Sequence, residues 1–74
     1  MTETFTVRFT EYQWWDISAD QEMCQLCAIT NNGTWSSIVP VTTSKDLRES
    51  REAFKTYVLS AMSLGQPPHE VEIG

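Results

Sequence analysis

The 74-residue chain predicts a small α+β domain with the element order β-β-β-α-β, a mostly antiparallel sheet covered on one face by one helix. Three observations carry this. Residues 5–9 alternate strictly between apolar and polar, with Phe5, Val7 and Phe9 on one side and Thr6 and Arg8 on the other, the period of a half-buried strand. An Asn32-Gly33 pair stands between two β-forming runs, a strong short-range hairpin signal because both residues tolerate positive φ. Residues 43–68 open with hydroxyl side chains, repeat apolar residues at helical spacing and close on Gly65, Pro67 and Pro68.

The first strand is expected over residues 4–10. Its alternation fails in the following stretch, Glu11-Tyr12-Gln13-Trp14-Trp15, and residues 16–21 are polar and read as a turn. A second strand is expected over residues 23–30, with Met23, Cys27 and Ile29 on one face and Cys24, Leu26 and Ala28 on the other. Apolar residues on both faces suit a central position. In the third strand, residues 34–41, Trp35, Val39 and Val41 alternate against Ser36 and Ile38. Pro40 has no N–H for a ladder, so this strand is expected to lie at an edge or to end at Pro40.

Thr43 or Ser44 caps the helix; with Thr43, Asp46 takes the third position and complements the helix dipole. Leu47, Phe54, Val58, Ala61 and Met62 form one stripe, widened by Ala53, Tyr57 and Leu64. Arg48 with Glu52 and Glu52 with Lys55 stand at pairing distance along the helix. Gly65 suits the left-handed position after it. Val71 and Ile73 alternate with Glu70 and Glu72, which predicts a short last strand, parallel to the first. Placed beside the first strand by a crossover, it gives the sheet order 3-2-1-4.

One domain is expected over residues 1–74. A domain of this size buries roughly 60% of its unfolded surface, so a symmetric homodimer through the uncovered sheet face is expected, with Leu26, Ile38 or Trp35 on that face. Two cysteines are too few for a disulfide scaffold. No apolar run approaches the ~20 residues of a membrane span and no signal-peptide pattern is seen, so a cytoplasmic protein with reduced thiols and no membrane partner is expected.

The net charge of −5 is unevenly distributed. Residues 1–43 hold Arg8 alone against Glu3, Glu11, Asp16, Asp20 and Glu22, whereas the helix holds Lys45, Arg48, Arg51 and Lys55. An acidic sheet repels phosphate and disfavours direct nucleic-acid binding, while it favours basic protein surfaces.

Cys24 and Cys27 have metal-like spacing, yet residues i and i+3 of a strand face opposite ways. His69 is the one other soft ligand, so no metal or other cofactor is expected. No nucleophile stands at a recognisable distance from a base and no glycine-rich loop precedes a helix, so no catalytic residues are assigned and the chain reads as a non-enzyme. The candidate partner-binding residues are Tyr12, Trp14, Trp15 and Trp35, with Asp16, Asp20 and Glu22 beside them. Tryptophan and tyrosine are enriched in binding hot spots, and adjacent Trp14 and Trp15 cannot both face a core.

The helix pattern T-S-x-x-x-L-x-x-x-x-E-A-F-x-x-Y, running into Gly65-Gln66-Pro67, together with the element order, resembles the degraded ribonuclease-H-like domains of HicB-type antitoxins over residues 43–68. The proline-aspartate-leucine-proline-glycine loop of those domains is absent here. The resemblance implies a non-catalytic, protein-binding role. The resulting expectation is a small acidic inhibitor or antitoxin-like factor, such as a phage-encoded, anti-CRISPR or host-takeover protein, that occupies a partner with a basic nucleic-acid-binding surface. The alternative is a structural subunit of a larger assembly in which the acidity is incidental.

Overall fold

A computed structural model describes residues 6–73. It contains β1 (Val7–Asp16), β2 (Gln21–Thr30), β3 (Gly33–Pro40) and α1 (Ser44–Ser63). The strands form an antiparallel sheet in the order β1-β2-β3, and α1 covers one face. The α+β class is therefore as expected. Thr4 and Phe5 of the first predicted strand lie outside the described residues.

β1 does not stop at Thr10. It runs on through the stretch where the alternation fails and pairs with β2 as far as Asp16↔Gln21. The turn at residues 17–20 is set by Asp16, whose Oδ1 accepts from Ser18 N (3.0 Å), Ser18 Oγ (2.7 Å) and Ala19 N (3.3 Å). Asp20 closes it in the left-handed region at φ +50, a conformation aspartate tolerates. The second hairpin turns on Asn31 and Asn32, with Thr30↔Gly33 as its closing pair. Only Gly33 takes the positive φ there, at +134, so the glycine alone supplies the freedom expected of the pair. A Cβ on Gly33 would also meet Pro68 Cγ at 3.2 Å.

The helix is bounded by local chemistry. Thr43 accepts from Asp46 N at 3.1 Å as N-cap. At the other end Gly65 N donates to Met62 O and Gln66 N to Ala61 O, both at 3.0 Å, with Gly65 at φ +76. This pair of bonds is a Schellman stop. Leu47, Phe54, Val58 and Ala61 are buried and Met62 packs against them, but Leu64 and Ala53 are exposed and Tyr57 is only partly covered. The apolar stripe is narrower than expected because α1 packs over β2 and β3 and leaves its flanks open. Among the described residues, the Arg48–Glu52 and Glu52–Lys55 spacings close no ion pair; Lys45 pairs with Glu49 at 4.0 Å, and Arg51 reaches across to Glu11.

The core combines Cys24, Leu26 and Ala28 of β2, Trp35 and Val39 of β3, the helix stripe and Val71. Leu26 and Trp35 thus lie on the covered face, not on the open one, and of the three residues expected to be uncovered only Ile38 is. The sheet order 3-2-1-4 is also corrected. The last segment makes one parallel bridge, Ser36↔Glu70, on the outer edge of β3, with Val71 N donating to Ser36 O at 2.7 Å. The chain leaves α1 with Pro68 against Gly33 at the start of β3. Reaching β1 from there would mean crossing two strand spacings of about 4.8 Å each, and Val71 would lose its place in the core. Pro40 does stand on an edge strand, with its main-chain nitrogen turned outward.

Candidate protein-binding surface

The register determines what each sheet face presents. On the face away from α1, cross-strand rows read Trp14-Met23-Pro40, Tyr12-Gln25-Ile38, Thr10-Cys27-Ser36 and Arg8-Ile29-Thr34. Tyr12 is 65% exposed and stacks on Trp14 with ring centroids 5.9 Å apart and planes at 20°. Ile38 is 50% exposed in the same row as Tyr12, and Ile29 is also exposed. The open face therefore carries an aromatic stack and two isoleucines, with Met23 half-buried between Trp14 and Pro40.

β1 and β2 extend beyond the end of β3, whose last residue, Pro40, pairs with Met23. The projecting end holds Trp15 opposite Glu22 and Asp16 opposite Gln21, and the turn adds Asp20. Trp15 is 58% exposed and Ile17, in the turn, 87%. Of the candidate residues, Trp14, Trp15, Asp16, Asp20 and Glu22 thus come together at one end, and Tyr12 joins them through its stack. Trp35 does not. It is fully buried under α1, in edge contact with Tyr57 and 4.8 Å from the His69 ring. Met23, Ile17, Ile29 and Ile38 complete the exposed surface; the face-sharing of Met23 and Ile29 was the available signal in the sequence.

Two acids of β1 have internal partners. Glu11 lies on the helix side, where Arg51 donates to both its oxygens, Nε to Oε2 at 3.1 Å, and where the Cys24 thiol donates at 3.4 Å. The Arg51 hydrogen bonds hold the Glu11 carboxyl below its ordinary value. The bonds from Ser18 and Ala19 hold Asp16 below its own. The expected acidic edge is therefore reduced to Asp20 and Glu22, whose side chains have no ion-pair or hydrogen-bond partner among the described residues, beside Asp16.

These shifts have a pH consequence. A carboxylate with a depressed folded pKa favours the folded state above its unfolded value, about 4 for Asp and Glu, and loses that contribution as pH falls through the folded value. Thermal unfolding is expected to drop below about pH 4, and Glu11→Gln to flatten that drop while lowering the melting temperature at pH 7. An unchanged acid limb in the variant would remove Glu11 from this account.

Cys24 is buried on the helix side, and burial, then Glu11, pushes its thiol up to about 11. It stays protonated at neutral pH and is a packing residue rather than a thiolate ligand. Cys27 is on the opposite face. His69 is engaged by the Tyr57 hydroxyl at Nε2 (3.1 Å) and the Pro67 carbonyl at Nδ1 (3.2 Å). The three soft ligands do not converge, and among the described residues no cluster of three or more His, Cys, Asp or Glu could hold a metal ion. Likewise, no helix among them is long and apolar enough to cross a membrane.

On the helix side, a groove of about 340 Å³ lies between β1 and α1, floored by Phe9, Leu26 and Phe54 and walled by Arg48, Arg51 and Lys55. Lys55 stands 5.6 Å over the Phe9 ring. The outer edge of β1 borders this groove. Glu22 gives its carbonyl to Val41 on the β3 side, so alternation turns Met23, Gln25, Cys27 and Ile29 toward β1. Their partners Trp14, Tyr12, Thr10 and Arg8 face inward in return. Val7, Phe9, Glu11, Gln13 and Trp15 are left with main-chain N–H and C=O groups directed outward from the sheet.

Comparison of the chain with known protein families, with curated proteins and with solved structures gives no match. The likeness to HicB-type antitoxin domains rests on the residues of the helix segment and on the element order.

Proposed function

We propose that this protein is a non-catalytic binding module that occupies a basic protein surface of the kind that otherwise holds nucleic acid, in the manner of an inhibitor or antitoxin. One observation carries the reading: the Tyr12–Trp14 stack lies on an uncovered sheet face beside a hairpin end bearing Asp20 and Glu22. Aromatic rings on a rigid sheet lose little conformational freedom on binding and supply desolvated anchors. Rim carboxylates supply charge complementarity and speed encounter. Arg8 is the one base on the open face among the described residues, which argues against the face as a base-stacking platform for single-stranded nucleic acid.

The test is capture from host lysate on the tagged protein at low and high salt, with duplex DNA as competitor. A basic nucleic-acid-handling protein is expected, released by salt and displaced by DNA. Its binding is expected to weaken when Asp20→Lys and Glu22→Lys are combined. Asp16 is spared because it holds the turn. Recovery of the protein's own copies alone, or of a partner indifferent to salt and to both charge reversals, would overturn the reading. The second reading, a subunit of a larger assembly, is favoured by the edge of β1, which has no partner strand among the described residues.

A further inference from the structure

We propose that two copies of the chain join through the outer edges of β1, antiparallel, with the two-fold axis passing between Tyr12 of one copy and Tyr12 of the other, so that the sheet continues across six strands. A ten-residue edge strand with outward-directed main-chain groups at five alternate residues is a template for pairing. Natural edges are blunted by proline, bulges or inward-pointing charge; β1 has no proline, pairs with β2 without a bulge over its whole length, and its one helix-side charge, Glu11, is met by Arg51 within the same chain.

The register follows from the side chains. With Tyr12 at the two-fold, Arg8 lies opposite Asp16 of the second copy, and Thr10 opposite Trp14, all on the open face. On the helix side Glu11 lies opposite Gln13, and Phe9 opposite Trp15. This register sets Arg8 against the opposite charge of Asp16 and Phe9 against the apolar Trp15, and it puts no like charges face to face. The Asp16 carboxylate is available for this pairing: its turn bonds all go to Oδ1. Sliding by one pair in one direction sets Glu11 against Glu11. Sliding in the other sets Arg8 against Ser18 in the turn.

Two further features fit the same occupant. Trp15, 58% exposed in one copy, would stand beside Phe9 of the second copy, at the mouth of the groove that Phe9, Phe54 and Lys55 line. The Tyr12–Trp14 stacks of the two copies would meet at the axis, making one aromatic strip on the open face. Both helices would stay on the other face, because a two-fold perpendicular to the sheet exchanges no faces. This assembly differs from one built on the open sheet face, which it leaves free, and it does not depend on what that face binds.

The experiment combines sedimentation with cross-linking. The protein should sediment as a dimer of its 8.5 kDa chain. Gln13→Pro deletes an outward N–H at the edge and leaves the β1–β2 ladder and every open-face side chain in place, and it should give a monomer. Arg8→Asp should weaken the dimer by about tenfold, since each changed pair occurs twice across the axis. It also serves if the proline variant fails to fold.

In a Cys27→Ser background, Tyr12→Cys should form a disulfide-linked dimer on mild oxidation. Opposed residues of a non-hydrogen-bonded pair have Cα atoms about 4.5 Å apart, within disulfide reach. Thr10→Cys or Trp14→Cys alone should not, being displaced from its own copy by about four residues, roughly 13 Å. A monomer at high concentration, a dimer that survives both Gln13→Pro and Arg8→Asp, or cross-linking equal at the three positions would overturn the proposal.

Discussion

Trp35→Ala is expected to leave the chain unfolded at 25 °C. The indole is the largest fully buried side chain and sits where β3, α1 and the C-terminal segment meet, against Tyr57 and His69. Phe9, Ala28 and Trp35 form one cross-strand row beneath the helix. Truncating a buried tryptophan costs about 3–5 kcal/mol, through lost transfer energy and the cavity left behind. A domain this small holds only about 3–5 kcal/mol in total, so the loss consumes the whole margin. Circular dichroism and urea titration decide it. A cooperative transition within about 1 kcal/mol of the parent would show that the row is not the structural centre. Trp35→Phe should be far milder, because the indole Nε1 has no hydrogen-bond partner among the described residues and nothing polar is lost with it.

Trp14→Ala is expected to do the reverse, sparing the fold and weakening the proposed binding. Trp14 lies on the open face, half-buried only by its stack with Tyr12 and by Met23. Its removal opens no cavity in the core beneath α1. In the proposed complex it is a desolvated anchor, and truncating such an anchor costs at least about 2 kcal/mol, a loss of affinity of roughly thirtyfold. Titration calorimetry with the captured partner, beside a thermal melt of the variant, separates the two effects. Unchanged affinity with an unchanged melt would move the binding surface off this face. Gln13→Pro offers a clean contrast, since it alters the β1 edge and leaves Trp14 and Tyr12 where they are.

The differing fates of Trp14, Trp15 and Trp35 show where local pattern stops being informative. Composition and spacing mark all three as large aromatics on β-forming runs. Alternation correctly places Trp35 on one face with Val39, and forbids Trp14 and Trp15 from sharing one. It does not say which face the helix will cover. That choice belongs to α1, which settles over β2 and β3 and so buries Trp35, leaves Trp14 outside and lets Trp15 project beyond the end of β3. The same choice explains the broken alternation of β1. Its helix-side positions near the hairpin end lie at the flank of α1 and need not be apolar. Glu11 can stand there because Arg51, one helix face away, meets its charge.

What the sequence by itself determined was local and short-range: three strands, their two hairpins, a helix begun by Thr43 and Asp46 and stopped by Gly65, and the stripe from Leu47 to Met62. Each rests on groups within a few residues of one another, where backbone geometry and hydrogen bonding leave few options. Only the tertiary structure decided the rest: the side of the sheet that the last segment joins, the internal engagement of Glu11, and which sheet face the helix leaves uncovered. These depend on where α1 comes to rest. Its exit beside Gly33 puts Val71 into the core next to β3 and, among the described residues, leaves the outer edge of β1 without a partner strand.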